Sequence, residues 1–135
     1  MRMMFLAATV FVTACAAPSP HELTVNYPAG PEPTKEQLEP AVKDWIANSL
    51  KDPDSPKQFR IINIMKTRWV VPPPITYSNA SAAEGWLACF EYNAKNSYGA
   101  YAGTTIEGLV FRLTSRGQPE IVAREGVVAL APRCK

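Results

Sequence analysis

The sequence predicts an α+β domain over residues 34–135, with one N-terminal amphipathic helix packed on an antiparallel meander of four to five strands. Two observations predict it. Residues 34–50 repeat apolar side chains every three to four positions, the period of a helix with one buried face. Beyond residue 57 the chain instead alternates apolar and polar side chains in runs separated by Pro, Gly and Ser clusters, the mark of strands and turns. Residues 34–135 suffice for one compact domain and not for two.

The helix opens on Thr34, with Gln37 three residues later in a capping-box pattern. Leu38, Ala41, Val42, Trp45, Ile46, Ser49 and Leu50 then form one continuous face. Pro40 removes one backbone donor, so it either kinks the helix or stands as the first residue of its regular part. Asp52-Pro53-Asp54-Ser55-Pro56 ends the helix in a turn.

Gln58–Val71 reads as a long strand ending at Pro72-Pro73-Pro74. Phe59, Ile61, Met65, Trp69 and Val71 share one face; Arg60, Lys66 and Arg68 share the other with Ile62 and Ile64. The three cations suit either the solvated side of a sheet or an anion-binding strip. Gly85–Asn93 is the second strand, with Trp86, Ala88, Phe90 and Tyr92 alternating against Leu87, Cys89 and Glu91. Thr105–Thr114 is the third, with Leu109, Phe111 and Leu113 on one face. The turn Ser115-Arg116-Gly117-Gln118 leads into a fourth, Glu120–Arg124, and Val127–Leu130 offers a short fifth.

The amino-terminal end is of another kind. Arg2 precedes an apolar run, Met3–Val12, too short to cross a hydrocarbon core of about 30 Å as a helix. The run closes on Val12-Thr13-Ala14-Cys15, which resembles the lipobox of bacterial lipoprotein precursors: an aliphatic residue, two small residues and Cys. The resemblance implies loss of residues 1–14 as a signal peptide and acylation of Cys15, palmitate-type chains holding the protein on a membrane. Ala16, where Asp would retain the protein at the inner membrane, implies the outer membrane facing the periplasm, or the cell membrane in a single-membrane organism. Ala14-Cys15-Ala16 also satisfies the A-x-A rule of an ordinary secretory signal, with cleavage after Ala16. Either reading exports the chain. Residues 15–33 then carry the candidate lipidated Cys and a Pro-rich tether, in which His21 and Tyr27 read as solvated linker positions.

Assigning Cys15 to the lipid, or losing it with the signal, leaves Cys89 and Cys134, an even pair in an oxidising space and the expected disulfide. Metal ligation would need more than they offer: the chain has no C-x-x-C and its one His is His21. Losing Arg2 from 14 Lys+Arg leaves 13 against 12 Asp+Glu, a near-neutral balance that argues against nucleic acid as the principal partner. No phosphate loop, zinc spacing or calcium loop appears, so no cofactor is expected. Nor does a nucleophile stand with a base. Glu84 and Glu91, the carboxylate pair a glycosidase would need, fall on opposite strand faces and about 23 Å apart. The expected protein is not an enzyme.

Recognition chemistry gathers instead in Asn93–Thr104, read as a long loop between the second and third strands. Asn93, Lys95, Asn96, Tyr98 and Tyr101 supply amides, a cation and two amphipathic rings, with Gly99 and Gly103 free to take positive φ. The same residues also suit a structural loop whose Asn side chains cap turns. Leu50-Lys51-Asp52-Pro53-Asp54-Ser55, Gly85-Trp86-Leu87-Ala88-Cys89 and Asn93-Ala94-Lys95-Asn96-Ser97-Tyr98-Gly99 together resemble a pattern in small uncharacterised proteobacterial exported proteins and lipoproteins. The likeness covers residues 48–104 and implies a shared fold without naming a reaction. The expectation is a membrane-anchored, non-enzymatic interaction protein of an envelope or secretion assembly, with an envelope protein as partner. The alternative is a module binding a small ligand or peptidoglycan fragment through residues 93–104.

Overall fold

A computed structural model describes residues 21, 23–72, 80–126 and 133–134. The lipobox with Cys15, and the expected strand Val127–Leu130, lie outside the described residues. The elements follow in the order β1 (Val25–Tyr27), α1 (Lys35–Ser49), β2 (Lys57–Val71), β3 (Ser81–Lys95), β4 (Tyr101–Leu113) and β5 (Pro119–Arg124).

The helix start is as local chemistry dictates. Gln37 N donates to Thr34 Oγ1 at 3.3 Å and Thr34 N donates to Gln37 Oε1 at 2.9 Å, so two end donors are satisfied reciprocally. Pro40 neither starts nor breaks α1, which runs through it. It sits on the exposed side, where water can serve the carbonyl that its missing N–H leaves free. Leu38, Val42 and Ile46 turn inward onto Ile61, Ala88, Phe90, Tyr92, Leu109 and Phe111, which form the main core.

β2, β3, β4 and β5 pair in sequence order as an antiparallel meander. The fold class is therefore α+β, mostly sheet, with one helix among the described residues packed on one face. The faces of β2 differ from simple alternation. Its register to β3 shifts between Ile61 and Asn63, which inserts Ile62 as an extra residue. Phe59, Ile61 and Ile64 therefore face α1, while Ile62, Met65, Trp69 and Val71 join a second core on the opposite face. The single apolar face expected from Phe59 to Val71 is split in two by that bulge.

The fifth strand is parallel and comes from the amino-terminal side, a correction to the all-antiparallel expectation. β1 pairs with Ala82 and Ala83 of β3, and Ala82 N donates to Thr24 O at 2.9 Å. Beyond it Ala29 and Pro33 are buried, and Trp86 Nε1 donates to Gly30 O at 3.2 Å. The Arg112 guanidinium lies 5.7 Å from the Tyr27 ring centroid and 5.4 Å from that of Trp69, a cation placed against two π faces. Residues 25–33 are thus docked structure and not tether, and Tyr27 is part of that docking.

Cys89 and Cys134 form a disulfide with Cα atoms 5.5 Å apart, which clips the tail over the second core. Gly108 makes room for it. A Cβ at 108 would stand 2.8 Å from Cys134 Sγ and 2.7 Å from Glu125 Oε2, so a side chain there would displace the clip.

Candidate functional site

The segment expected as a twelve-residue loop is mostly strand. β3 runs to Lys95 and β4 begins at Tyr101, so only Asn96–Ala100 turn the chain. Asn96 is committed to building that turn: its Oδ1 accepts from Tyr98 N at 2.9 Å and Ala100 N at 3.2 Å. Gly99, at φ 82°, supplies the left-handed residue that the turn requires. For Asn96 the structural reading of the sequence is the right one.

Of the remaining candidates, Asn93, Lys95 and Tyr101 share one face. Ala88, Phe90, Tyr92 and Ala94 face the helix, so Glu91, Asn93 and Lys95 project from the opposite side. Opposite them in register stand Lys57 and Arg60 on β2 and Ile106, Thr104 and Tyr101 on β4. Lys57 Nζ lies 4.8 Å from the Tyr101 ring centroid and Lys95 Nζ lies 5.9 Å from it. Lys95 also approaches Asp52 Oδ2 at 3.7 Å. Lys57 has no carboxylate within ion-pair distance among the described residues. Asn93, the cross-strand partner of Lys57, keeps its Oδ1 buried without a hydrogen-bond partner. Such an orphan acceptor costs about 1–3 kcal/mol. Tyr98 stands on the turn with 95% of its surface exposed, Tyr101 with 38% and Ile106 with 42%.

Arg60, Lys66 and Arg68, which the sequence reads as either a solvated side or an anion-binding strip, do not share a face. The bulge at Ile62 sets Arg60 opposite the other two, and all three are paired across the sheet. Arg60 Nε donates to Glu91 Oε1, while Lys66 Nζ lies 3.1 Å from Glu84 Oε2 and Arg68 Nε donates to Glu84 Oε1 at 3.0 Å. The hydrogen bond from Arg68, aided by Lys66, holds the Glu84 carboxyl below its ordinary range against the effect of burial. Glu84 and Glu91 are therefore ion-pair partners of β2, seven residues apart on opposite faces, as alternation requires.

Tyr92 is buried beside Glu107, to whose Oε2 it donates at 3.0 Å. Burial first, and the Glu107 charge second, push its phenol up to about 12. Burial likewise lowers Arg112, whose Nε donates to Glu84 O at 2.6 Å.

A cleft of about 540 Å³ lies elsewhere, between Glu32–Lys35 and Ile62–Ile64. Its cation, Lys35, already donates to Ile62 O at 2.8 Å, so size alone does not make it a better site than the hairpin end. Among the described residues no group of three His, Cys, Asp or Glu side chains is placed to hold a metal ion.

Lys57 is the member of the site that sequence reasoning missed. It lies 38 residues before Lys95 and meets it through strand pairing alone. Comparisons with family models, with curated proteins and with solved structures found no match to this chain.

Proposed function

We propose that this protein is a membrane-anchored, non-enzymatic envelope protein, lipidated at Cys15, that presents the β3–β4 hairpin end to another envelope component. The observation that carries the reading is the polarity of the domain. β1 joins the sheet at Ala82, whereas Tyr98 projects beyond Lys95, at the other end of the same strand. At about 3.3 Å per residue those ends stand about 40 Å apart. β1 also runs parallel to β3, so the chain arrives heading toward the hairpin. A tether attached at Thr24 therefore leaves the exposed aromatic and cationic end facing away from the membrane. The amino-terminal signal supports the anchor, the paired Cys89 and Cys134 suit an oxidising compartment, and the solvent-facing tyrosines suit contact.

Photo-crosslinking in intact cells tests this. A photoreactive residue in place of Tyr98 is expected to trap a discrete envelope component, and the same residue in place of the exposed Ile121 is expected to trap far less. Equal trapping from both positions would contradict the reading. Cys15→Ala should remove acyl labelling and release the protein from membranes; retention there would contradict the anchor.

A further inference from the structure

We infer that the component recognised at the hairpin end is a glycan strand bearing N-acetyl amides and carboxylates, the chemistry of peptidoglycan. The inference rests on the contact surface proposed above and names what fills it. Three kinds of group meet there. Lys57 and Lys95 bring two ammonium groups within 6 Å of the Tyr101 centroid, at 4.8 and 5.9 Å, and Lys57 has no carboxylate of its own among the described residues. Lys95 already lies 3.7 Å from Asp52 Oδ2, so Lys57 is the ammonium left to take a ligand carboxylate. Asn93, the cross-strand partner of Lys57, keeps its Oδ1 buried and unpartnered, an acceptor that a donor reaches only once a neighbouring side chain moves aside. Tyr101 and Tyr98 offer rings on which the C–H faces of a sugar can stack while their hydroxyls stay wet.

Sheet geometry favours a glycan over an acidic peptide. An extended peptide binds a sheet most simply by adding a strand to a free edge. Both edges next to this surface are interrupted. β4 carries an extra residue between Tyr101 and Thr104, with Gly103 at φ 102°, and β2 carries one between Lys57 and Arg60, with Gln58 at φ 56°. Bulges of this sort break the regular row of donors and acceptors that a guest strand needs. What remains is the side-chain face on which Lys57, Lys95 and Tyr101 meet solvent, which suits a ligand read by rings and charges.

The test is co-sedimentation of the full acylated chain, in detergent micelles, with purified insoluble peptidoglycan. The expected result is saturable binding that weakens at least threefold between 50 and 300 mM salt. Binding should fall at least tenfold in Lys57→Glu/Lys95→Glu and in Tyr98→Ala/Tyr101→Ala. Thermal unfolding keeps the result interpretable: Tyr98→Ala alone, on the exposed turn, should leave the midpoint unchanged and still weaken binding. Absence of sedimentation, or binding indifferent to these variants, would overturn the inference. So would competition by poly-L-glutamate at concentrations where soluble muropeptides fail. Because Tyr98 crosslinking in cells is read separately, a trapped protein with no peptidoglycan binding would sink the glycan and leave the contact surface standing.

Discussion

The sheet face turned away from α1 has two halves of different character. Near the Ser81 end it is apolar: Met65, Trp69, Leu87, Cys89 and Val110 pack together and the disulfide draws Cys134 over them. Toward the hairpin it carries Arg60, Lys57, Asn93, Lys95 and Tyr101, with Ile106 and Tyr98 in solvent. The first half is closed by a covalent clip, and its polar groups are matched: Cys134 N donates to Glu125 Oε1 at 3.1 Å. The second holds an orphan amide oxygen and a lysine with an aromatic ring where a carboxylate would sit. The difference teaches where stability is made and where it is given up. Groups left incompletely satisfied within a sound fold are the ones free to meet a partner.

The largest expected effect comes from opening the closed half. Replacing Cys89 and Cys134 together by Ala should cost about 4 kcal/mol, from a separation of 45 residues in the chain-entropy account, measured by denaturant unfolding. Crosslinking from position 98 should survive under conditions where that variant stays folded; its loss would show that the two halves act as one.

A middle effect is expected at Glu84, which ties β3 to Lys66 and Arg68 of β2. Glu84→Gln leaves two cations short of their partner and should cost about 1–2 kcal/mol, since both cations keep access to water. Its folded-state pKa is depressed, so its stabilising effect is complete above the ordinary carboxylate value and fades as pH falls through that value toward the folded one. Acid titration of stability should therefore be shallower in the variant. The mirror case is Tyr92: with a phenol raised to about 12, the fold should weaken as pH rises above 10, and Tyr92→Phe should flatten that limb.

The smallest effect on stability belongs to the open half. Tyr98→Ala should change unfolding free energy by less than about 0.5 kcal/mol, because the side chain touches little but solvent. A larger loss would mean the ring packs somewhere and would blur the contrast between the halves.

Local chemistry made much of this legible in sequence. The capping box of Thr34 and Gln37 needs only four residues, and alternation from Trp86 to Tyr92 sorts one strand's faces without knowledge of its neighbours. The Cys89–Cys134 pair followed from redox arithmetic. Illegible features were those that pairing creates. The bulge at Ile62 reverses the faces of half of β2, yet nothing in the side chains from Phe59 to Val71 announces it. β1 is too short for a period and sits among prolines, so its sequence reads as tether and does not announce the docking on Ala82 and Ala83. In the site, Asn96 could be assigned to turn-building or to binding until its Oδ1 was seen to hold two backbone amides. Lys57 came into view only once β2 lay beside β3.

Polarity is the claim on which the account depends, and a distance measurement addresses it directly. The acylated protein, reconstituted on vesicles, would carry one fluorophore at position 24 or, in a separate sample, at position 98, with an acceptor dye in the bilayer. The account predicts strong energy transfer from position 24 and much weaker transfer from position 98, consistent with about 40 Å of β3 between them. Equal transfer, or stronger transfer from position 98, would place the hairpin end at the membrane and contradict it.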